Sequence, residues 1–363
     1  RYNRSGKIRQ VQRDRSDDLD VKTIALYDGD RPIPCHITGQ DSRDIIVERL
    51  ELNSRSVPTR QFYFNFYAQD IPAMGYKVFR VVPNERSTRP TASLVRRRGS
   101  MENEFLAVKI NDNGSLTIKD KQTGRTFRQL HVFDDKGEVG DWSQHVPLPD
   151  DRRITSSRGK AAVKVERADA FVATYRVRVR MRLPVQAATD KKSRSRKTAT
   201  MELISRITLR RGARRVDIET ELDHRTKDHR LRMLFPSGIK TKSSWSGGQF
   251  DVVERPVKSP VRKGWRDEQL KTHPQYHFVD VTDGKVGLGI LTEGLTEYEI
   301  LEDPNRTIAV TMVRAFADVI GVPVREQDTG AQCQRQIVFR YAICPHDGDY
   351  QDANLFAEAR RFH

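Results

Sequence analysis

Two-residue alternation limits this chain more than any other pattern in it. Between 175 and 183, Arg176, Arg178, Arg180 and Arg182 alternate with Val177, Val179, Met181 and Leu183, and only an extended strand sends successive side chains to opposite faces. Such a strand is basic on one face and apolar on the other, so it belongs to a sheet with one wetted side. Val216, Ile218, Thr220 and Leu222 alternate likewise with Asp217, Glu219 and Glu221; the opposite signs let the two charged faces meet as cross-strand neighbours on one sheet. Residues 104–110 and 115–119 flank Asn111, Asp112, Asn113 and Gly114, where Asn-Gly supplies the positive φ angles of a tight hairpin; a second turn follows at 120–124. Stretches with the length and period of an amphipathic helix are few. Residues 352–362 form the clear one, with Asp352 as its expected N-cap, and the chain stops inside it as an excised piece would. The expected fold class is all-β.

At 363 residues the chain is long enough for about two domains, each with its own core. Short strands are expected at 24–26 and 45–50, and Phe62, Phe64 and Phe66 alternate with Tyr63, Asn65 and Tyr67. These form a small β unit ending near Pro83. Residues 84–98, rich in Arg, Ser, Thr and Pro and containing Arg96, Arg97 and Arg98, have linker composition. The expected domains are therefore 1–92, a small β domain, and 99–363, a large antiparallel β-sandwich truncated at its C-terminal end. Within the second, 187–200 holds Lys191, Lys192, Arg194, Arg196 and Lys197 and no large apolar residue; it reads as a solvated, mobile hairpin tip ahead of a binding arm.

Composition closes several routes. The longest apolar stretches, such as 286–291, fall far short of the roughly 20 residues of a membrane-spanning helix. Cys35, Cys333 and Cys344 show no CxxC or Cys/His metal spacing, so free thiols are expected in place of a disulfide framework or zinc ribbon. Position one is Arg1, so a leader could have been removed, and the compartment stays unassigned with the cytoplasm as the default. The 65 Lys and Arg against 49 Asp and Glu give +16, which raises a polyanionic partner. No helix-turn-helix, KH or zinc-finger pattern appears, and the 62–67 aromatics lack the glycines of an RNA-recognition signature, so nucleic acid is an unfavoured partner.

Seven segments, in order over about 280 residues, resemble the C-terminal β-rich part of the glycoside hydrolase family 38 α-mannosidases, nearest the mannosylglycerate-hydrolase-like branch. They are 68–79 (AQDIPAMGYKVF), 101–124 (MENEFLAVKINDNGSLTIKDKQTG), 137–147 (GEVGDWSQHVP), 228–239 (DHRLRMLFPSGI), 250–256 (FDVVERP), 273–300 and 330–350 (GAQCQRQIVFRYAICPHDGDY). The resemblance implies a strand at 68–79 closing the small domain and a galactose-mutarotase-like supersandwich after it. It places catalysis in an N-terminal α/β barrel outside this chain, with zinc held by His and Asp ligands and an Asp nucleophile of a retaining mechanism. The residues agree with that division: parallel β/α alternation, His-x-Asp clusters and a Gly-x-Ser-x-Gly elbow are all missing. This chain is expected to bind no cofactor itself, to support the barrel, and not to hydrolyse anything alone. A homo-oligomer is left open.

By the same resemblance, Asp141, Trp142 and His145 of the 137–147 loop face an α-mannosyl substrate, the ring packing on sugar C–H faces and the carboxylate accepting from hydroxyls. The tyrosines common in that loop are missing here, and a loop ordered by its own Trp is the competing reading. Arg314 matches a family arginine near the pocket, against a plain solvent-facing strand arginine; Arg255 is a third candidate, against a structural salt bridge. Among the histidines, His224 with His229 and His273 with His277 come nearest metal spacing, yet Pro274 and a strand-like setting remove the helical face a zincin needs. Cys35 beside His36 is expected to be a packed thiol. The rival functional class is a stand-alone carbohydrate-binding β-sandwich, which predicts saccharide affinity without the barrel.

Overall fold

A computed structural model describes residues 6–8, 21–49, 52–83, 85–86, 92–141, 145–258, 264, 270–317 and 330–363. The described residues are all-β save two single turns of 3-10 helix and one α-helix, Leu355–Phe362. The chain divides into two compact units, Arg1–Leu94 with Ala168–Val172, and Val95–Arg167 with Ala173–His363.

In the smaller unit the strands Cys35–Arg49 and Leu52–Phe66 form a long antiparallel hairpin with Gly6–Ile8 on its edge, and Arg31–Ile33, Ile24–Asp28 and Arg80–Pro83 make a second sheet. The expected short strand at 45–50 is thus part of a 15-residue strand, Leu50 lying outside the described residues. Val21, Ile24, Leu26, Cys35, Phe62 and Phe64 pack together, with Phe66 and Phe79 against them. Period two carries the phenylalanines inward, so they build core and offer no stacking platform. The segment 68–79 is not a strand; the pairing that closes the unit is made just after it, by Arg80–Pro83 on Ile24–Asp28.

The larger unit begins with a five-stranded meander, Val95–Arg97, Ser100–Glu102, Leu106–Ile110, Leu116–Asp120 and Thr126–Leu130. Its first strand uses residues whose composition reads as linker. The expected hairpin forms with Leu116 opposite Ile110. Gly114 takes φ +87° in its turn, and a Cβ there would stand 2.8 Å from Val179, so both backbone and space require glycine. Asp120 sets the second turn by accepting from the Gln122 amide at 3.1 Å and the Thr123 hydroxyl at 2.6 Å.

The sandwich proper has a six-stranded and a nine-stranded sheet. In spatial order the first runs Ile154–Thr155, Val132–Gly137, His229–Phe235, Ile308–Ala315, Glu297–Ile300 and His273–Pro274. The second runs Ala162–Ala168, Val172–Pro184, Thr198–Arg210, Val216–Asp223, Gln336–Asp347, Val286–Glu293, Phe278–Thr282, Ser243–Gly247 and Val252–Pro256. Their inner faces meet where Phe235 approaches Tyr341, 6.4 Å between ring centres. A polar thread crosses this core: the Tyr341 hydroxyl bonds His131 Nε2 at 2.6 Å and Thr220 Oγ1 at 2.5 Å, and Thr220 bonds Ser205 at 2.8 Å. Burial drives His131 down to about 3 and raises Tyr341, so both are neutral at pH 7.

The Arg176–Arg182 face does not lie beside the 216–222 acidic face, because Thr198–Arg210 runs between the strands. The sign alternation is carried through it: Arg206 reaches Glu166 at 3.2 Å and Glu219 at 3.6 Å, and Arg340 reaches Glu219 at 3.1 Å and Glu293 at 3.6 Å. Nor is the 187–200 loop merely a solvated tip. Arg194 is buried and donates through Nε to Asp151 at 2.7 Å, through Nη2 to the Arg152 carbonyl at 2.7 Å, and through Nη1 to Asp135. The helix at the C-terminal end starts at Leu355, packing Leu355 and Ala359 on Phe278, Leu291 and Ala342. Asp352 is not its cap; its carboxylate accepts from the Asp349 amide at 3.1 Å, and Asn354 precedes the helix in a left-handed conformation.

Candidate functional site

The six-stranded sheet has two unlike faces. Antiparallel register puts directly opposed residues on the same side, so Phe133, Leu231, Met233 and Val310 face inward, while Asp134, Lys136, Arg230, Arg232 and Arg314 share the outer face. A bulge between Leu231 and Arg232, against Val313 and Thr311, keeps Arg314 opposite Arg230.

At one end of that face the chain folds around a single carboxylate. Glu138 follows the Val132–Gly137 strand, and its side chain is fully buried. Glu138 Oε1 accepts from the Gly140 amide at 2.6 Å and the Val146 amide at 3.1 Å, and the loop is closed by Val139 N–H on the Val146 carbonyl at 2.9 Å. Glu138 Oε2 accepts from Arg314 Nε at 3.2 Å and from His145 Nδ1. Arg314 Nη2 donates to the Asp141 carbonyl at 2.6 Å, and its guanidinium lies over the Phe316 ring, 5.5 Å from the centre. Burial alone would raise the Glu138 pKa; the His145 hydrogen bond and the charge of Arg314 outweigh it and hold the carboxyl below its ordinary range. Burial, assisted by Arg230, lowers His145. At neutral pH the pair is therefore an ionised carboxylate and a neutral imidazole with its proton on Nδ1, which leaves Nε2 as an acceptor.

The structure thus brings together His145, Arg314 and the backbone of Asp141. Asp141 itself is 1% exposed. Trp142 lies outside the described residues. Arg314 is not a plain solvent-facing arginine, since its side chain is 14% exposed and its hydrogen bonds are internal. Arg255 stands elsewhere, on the edge strand of the nine-stranded sheet, where Nη1 donates to Ser246 Oγ at 2.9 Å beside a surface groove of about 400 Å³ that includes Gly247, Gly248 and Tyr276. Its structural partner is a hydroxyl and not the carboxylate of a salt bridge.

Four further residues were not singled out from sequence: Glu138, Asp134, Arg230 and Arg232. Arg232 donates to Asp134 at 2.9 Å and to Glu299 at 2.6 Å. The signal was present, since Arg230 and Arg232 interrupt the apolar run 229–235, and a charge in a wholly buried strand needs a partner.

The metal-spaced histidines do not form a metal site. His224 and His229 stack 4.9 Å apart, but their Nε2 atoms bond each other at 2.6 Å, His229 Nδ1 bonds Asp135, and His224 Nδ1 lies 3.0 Å from the Cys333 carbonyl. All four ring nitrogens are engaged. His273 pairs across a strand with Tyr298, and His277 Nδ1 is 3.5 Å from His363 Nε2. Among the described residues no group of three His, Cys, Asp or Glu could hold a metal ion. Cys35 is buried in the small core, and Cys344 is buried with its thiol pushed up to about 12, which leaves it protonated and unreactive. No helix of the described residues is long and apolar enough to cross a membrane.

Comparison with known proteins accords with this architecture. The structure superposes on an alpha-mannosidase from Enterococcus faecalis V583 with TM-score 0.81 at 25% identity, covering 98% of this chain and 43% of that one. A protein in the glycosyl hydrolase family 38 from Enterococcus faecalis gives 0.76 at 26% identity, covering 93% and 40%. In sequence, a putative mannosylglycerate hydrolase of Halalkalibacterium halodurans is 30% identical over 305 residues, 79% of this chain and 33% of the relative. The chain therefore spans well under half the length of these relatives. Residues 101–318 match the glycosyl hydrolases family 38 C-terminal domain, and this chain belongs to that family.

Proposed function

We propose that this chain is the non-barrel part of a zinc-dependent, retaining α-mannosidase that removes terminal α-mannosyl groups, and that it supports the catalytic barrel and lends residues to the sugar pocket. The observation that carries the reading is the convergence of the 137–147 loop and the Ile308–Ala315 strand on Glu138. A neutral imidazole whose Nε2 is an acceptor, with a fixed guanidinium beside it, can accept from one sugar hydroxyl and donate to another. Zinc and the nucleophile belong, on this reading, to the region outside this chain. The chain alone is expected to be inactive, and its partners are its own barrel and an α-mannoside.

The test uses the longer protein that includes a catalytic region. His145→Ala should lower kcat/KM for an aryl α-mannoside about 10- to 100-fold, the equivalent of one hydrogen bond to a polar group of the substrate, while loss of its bond to Glu138 lowers the melting temperature by about 5 °C, so the kinetics are read well below that transition. Unchanged kinetics would remove the pocket role, and full activity after deletion of residues 99–363 would remove the support role.

A further inference from the structure

At the Gly137 end of the six-stranded sheet, on its inner face, two histidines join a buried ionic group. Register puts Asp135 opposite Leu231 and Gly137 opposite His229, so Asp135 and His229 point inward, away from the arginines of the outer face. Asp135 is 0% exposed, His224 and His229 are 1% exposed, and Arg194 and Asp151 are almost as enclosed. The hydrogen bonds locate the protons. Asp135 accepts from Arg194 Nη1 and from His229 Nδ1, and Asp151 accepts from Arg194 Nε at 2.7 Å and from the Gly137 amide at 2.7 Å. His224 Nδ1 donates to the Cys333 carbonyl at 3.0 Å, since a carbonyl only accepts. Both Nδ1 atoms therefore carry hydrogen. The Nε2 atoms face each other at 2.6 Å, where two neutral rings would meet lone pair to lone pair.

One further proton removes that clash. Held on His229 Nε2, it is donated to His224 Nε2 and shared with Thr226 Oγ1 at 2.9 Å. Burial and the neighbouring charge of His229 hold His224 below its ordinary value, which keeps that ring neutral as the acceptor. Charge within the bonded group closes on the same count, with Arg194 and the His229 imidazolium set against Asp135 and Asp151. Two more carboxylates stand nearby and reach solvent. Asp223 is paired with Arg225 at 2.6 Å, and Asp228 accepts from the Ala187 amide at 3.1 Å and from Gln332 at 2.6 Å; both favour a cation on the histidines.

We propose that His224, His229 and Asp135 form a pH-sensitive latch, in which one proton held between the two imidazoles keeps this end of the sandwich closed and its loss in alkali loosens the loops that meet there. Those loops lead to the candidate site. Asp151 holds the Gly137 amide, the Glu138 amide donates to the Asp228 carbonyl at 2.9 Å, and Arg194 ties in the 187–200 loop. Deprotonation would set the two Nε2 lone pairs against each other and leave two buried carboxylates sharing one guanidinium, which is destabilising where water cannot enter. The folded chain keeps this proton where a free imidazole has given its own up. The stabilisation is therefore complete below the ordinary imidazole range and is lost as pH rises through the titration of the latch. The latch goes beyond the sugar reading and does not rest on it.

Nitrogen NMR of the histidine rings of the 363-residue chain, at about pH 7.5, where a free imidazole is mostly neutral, is expected to show both His229 nitrogens protonated and His224 protonated on Nδ1 alone. Amide hydrogen exchange at Gly137 and Glu138, corrected for hydroxide catalysis, should be flat in neutral solution and then accelerate by up to about tenfold per pH unit, the slope of one linked proton. His229→Gln has no such proton to lose and should abolish the slope. If that variant does not fold, His224→Gln replaces it: its amide can turn either oxygen or NH2 toward His229 Nε2, so the slope should shrink. The ring spectra of the parent chain need neither variant. A His229 ring with one bare nitrogen at that pH, exchange with no alkaline rise, or a rise that the variants leave unchanged overturns the latch.

Discussion

Glu138→Gln is the substitution for which the geometry makes the sharpest forecast. The amide is nearly isosteric and keeps one oxygen, which can remain where Oε1 receives the Gly140 and Val146 amides. At the Oε2 position, however, an acceptor becomes an NH2 group facing the N–H donors of Arg314 and His145. Two charge-assisted hydrogen bonds at about 1.5–3 kcal/mol each are lost, in line with the roughly 3–5 kcal/mol for removing one partner of a buried ion pair. For a unit of this size that corresponds to a fall of about 10 °C in melting temperature. The pH dependence adds a second check. Glu138 has a folded pKa below its ordinary 4.5, so its contribution is complete above 4.5 and disappears as pH falls through the folded value. Urea unfolding of parent and variant should therefore differ by about 4 kcal/mol at neutral pH, and the two curves should converge in acid. A difference below about 1 kcal/mol at neutral pH, or one that persists undiminished in acid, would refute the argument that Glu138 is an ionised hub.

Arg194→Ala should cost about 3–5 kcal/mol by stranding buried Asp135 and Asp151, whereas Arg196→Ala on the same loop, at an exposed position, should stay within about 0.5 kcal/mol; both are read by urea unfolding. Gly287→Ala would put a Cβ 2.0 Å from the His346 ring and should destabilise by about 3 kcal/mol through overpacking, measured by calorimetry. Burial opposes charge on His346, but its bond to Asp280 at 3.0 Å raises the imidazole above 6.5; the pair's stabilisation is complete below 6.5 and is lost as pH rises through the folded value, so His346→Gln should flatten stability against pH above 6.5. Tyr341→Phe removes the hydroxyl shared by His131 and Thr220 and should cost about 1–3 kcal/mol in the same unfolding assay.

Much of the fold is legible where the pattern is local. The Asn-Gly turn locates the 106–120 hairpin, and period two assigns inner and outer faces from Val172 to Asp223. The choice of neighbour is not local: alternation says that Arg176 and Glu219 face water, but not that Arg206 stands between them, because any strand of matching sign would satisfy the pattern. Polar composition in 187–200 likewise conceals that Arg194 reaches back to carboxylates more than 40 residues away in sequence. In the candidate site, His145 and Arg314 were recoverable by resemblance, while their shared acceptor Glu138 was not. Nothing in GEVGDWSQHVP marks which of its two carboxylates is wrapped by the loop's own amides.

The placement of Arg230 and Arg232 two residues apart in an otherwise apolar strand also proofreads assembly. In their observed alignment both guanidinium groups lie on the outer side, while Leu231 and Met233 are fully enclosed. Sliding the His229–Phe235 strand by a single position would exchange those sides, taking both cations away from Asp134 and Glu299 and expelling two large apolar groups. Purely aliphatic strands tolerate such slippage far more readily. The central strand of this sheet thus carries its own address, since a shift by one leaves Asp134 and Glu299 without their arginine and two leucine-sized groups without cover.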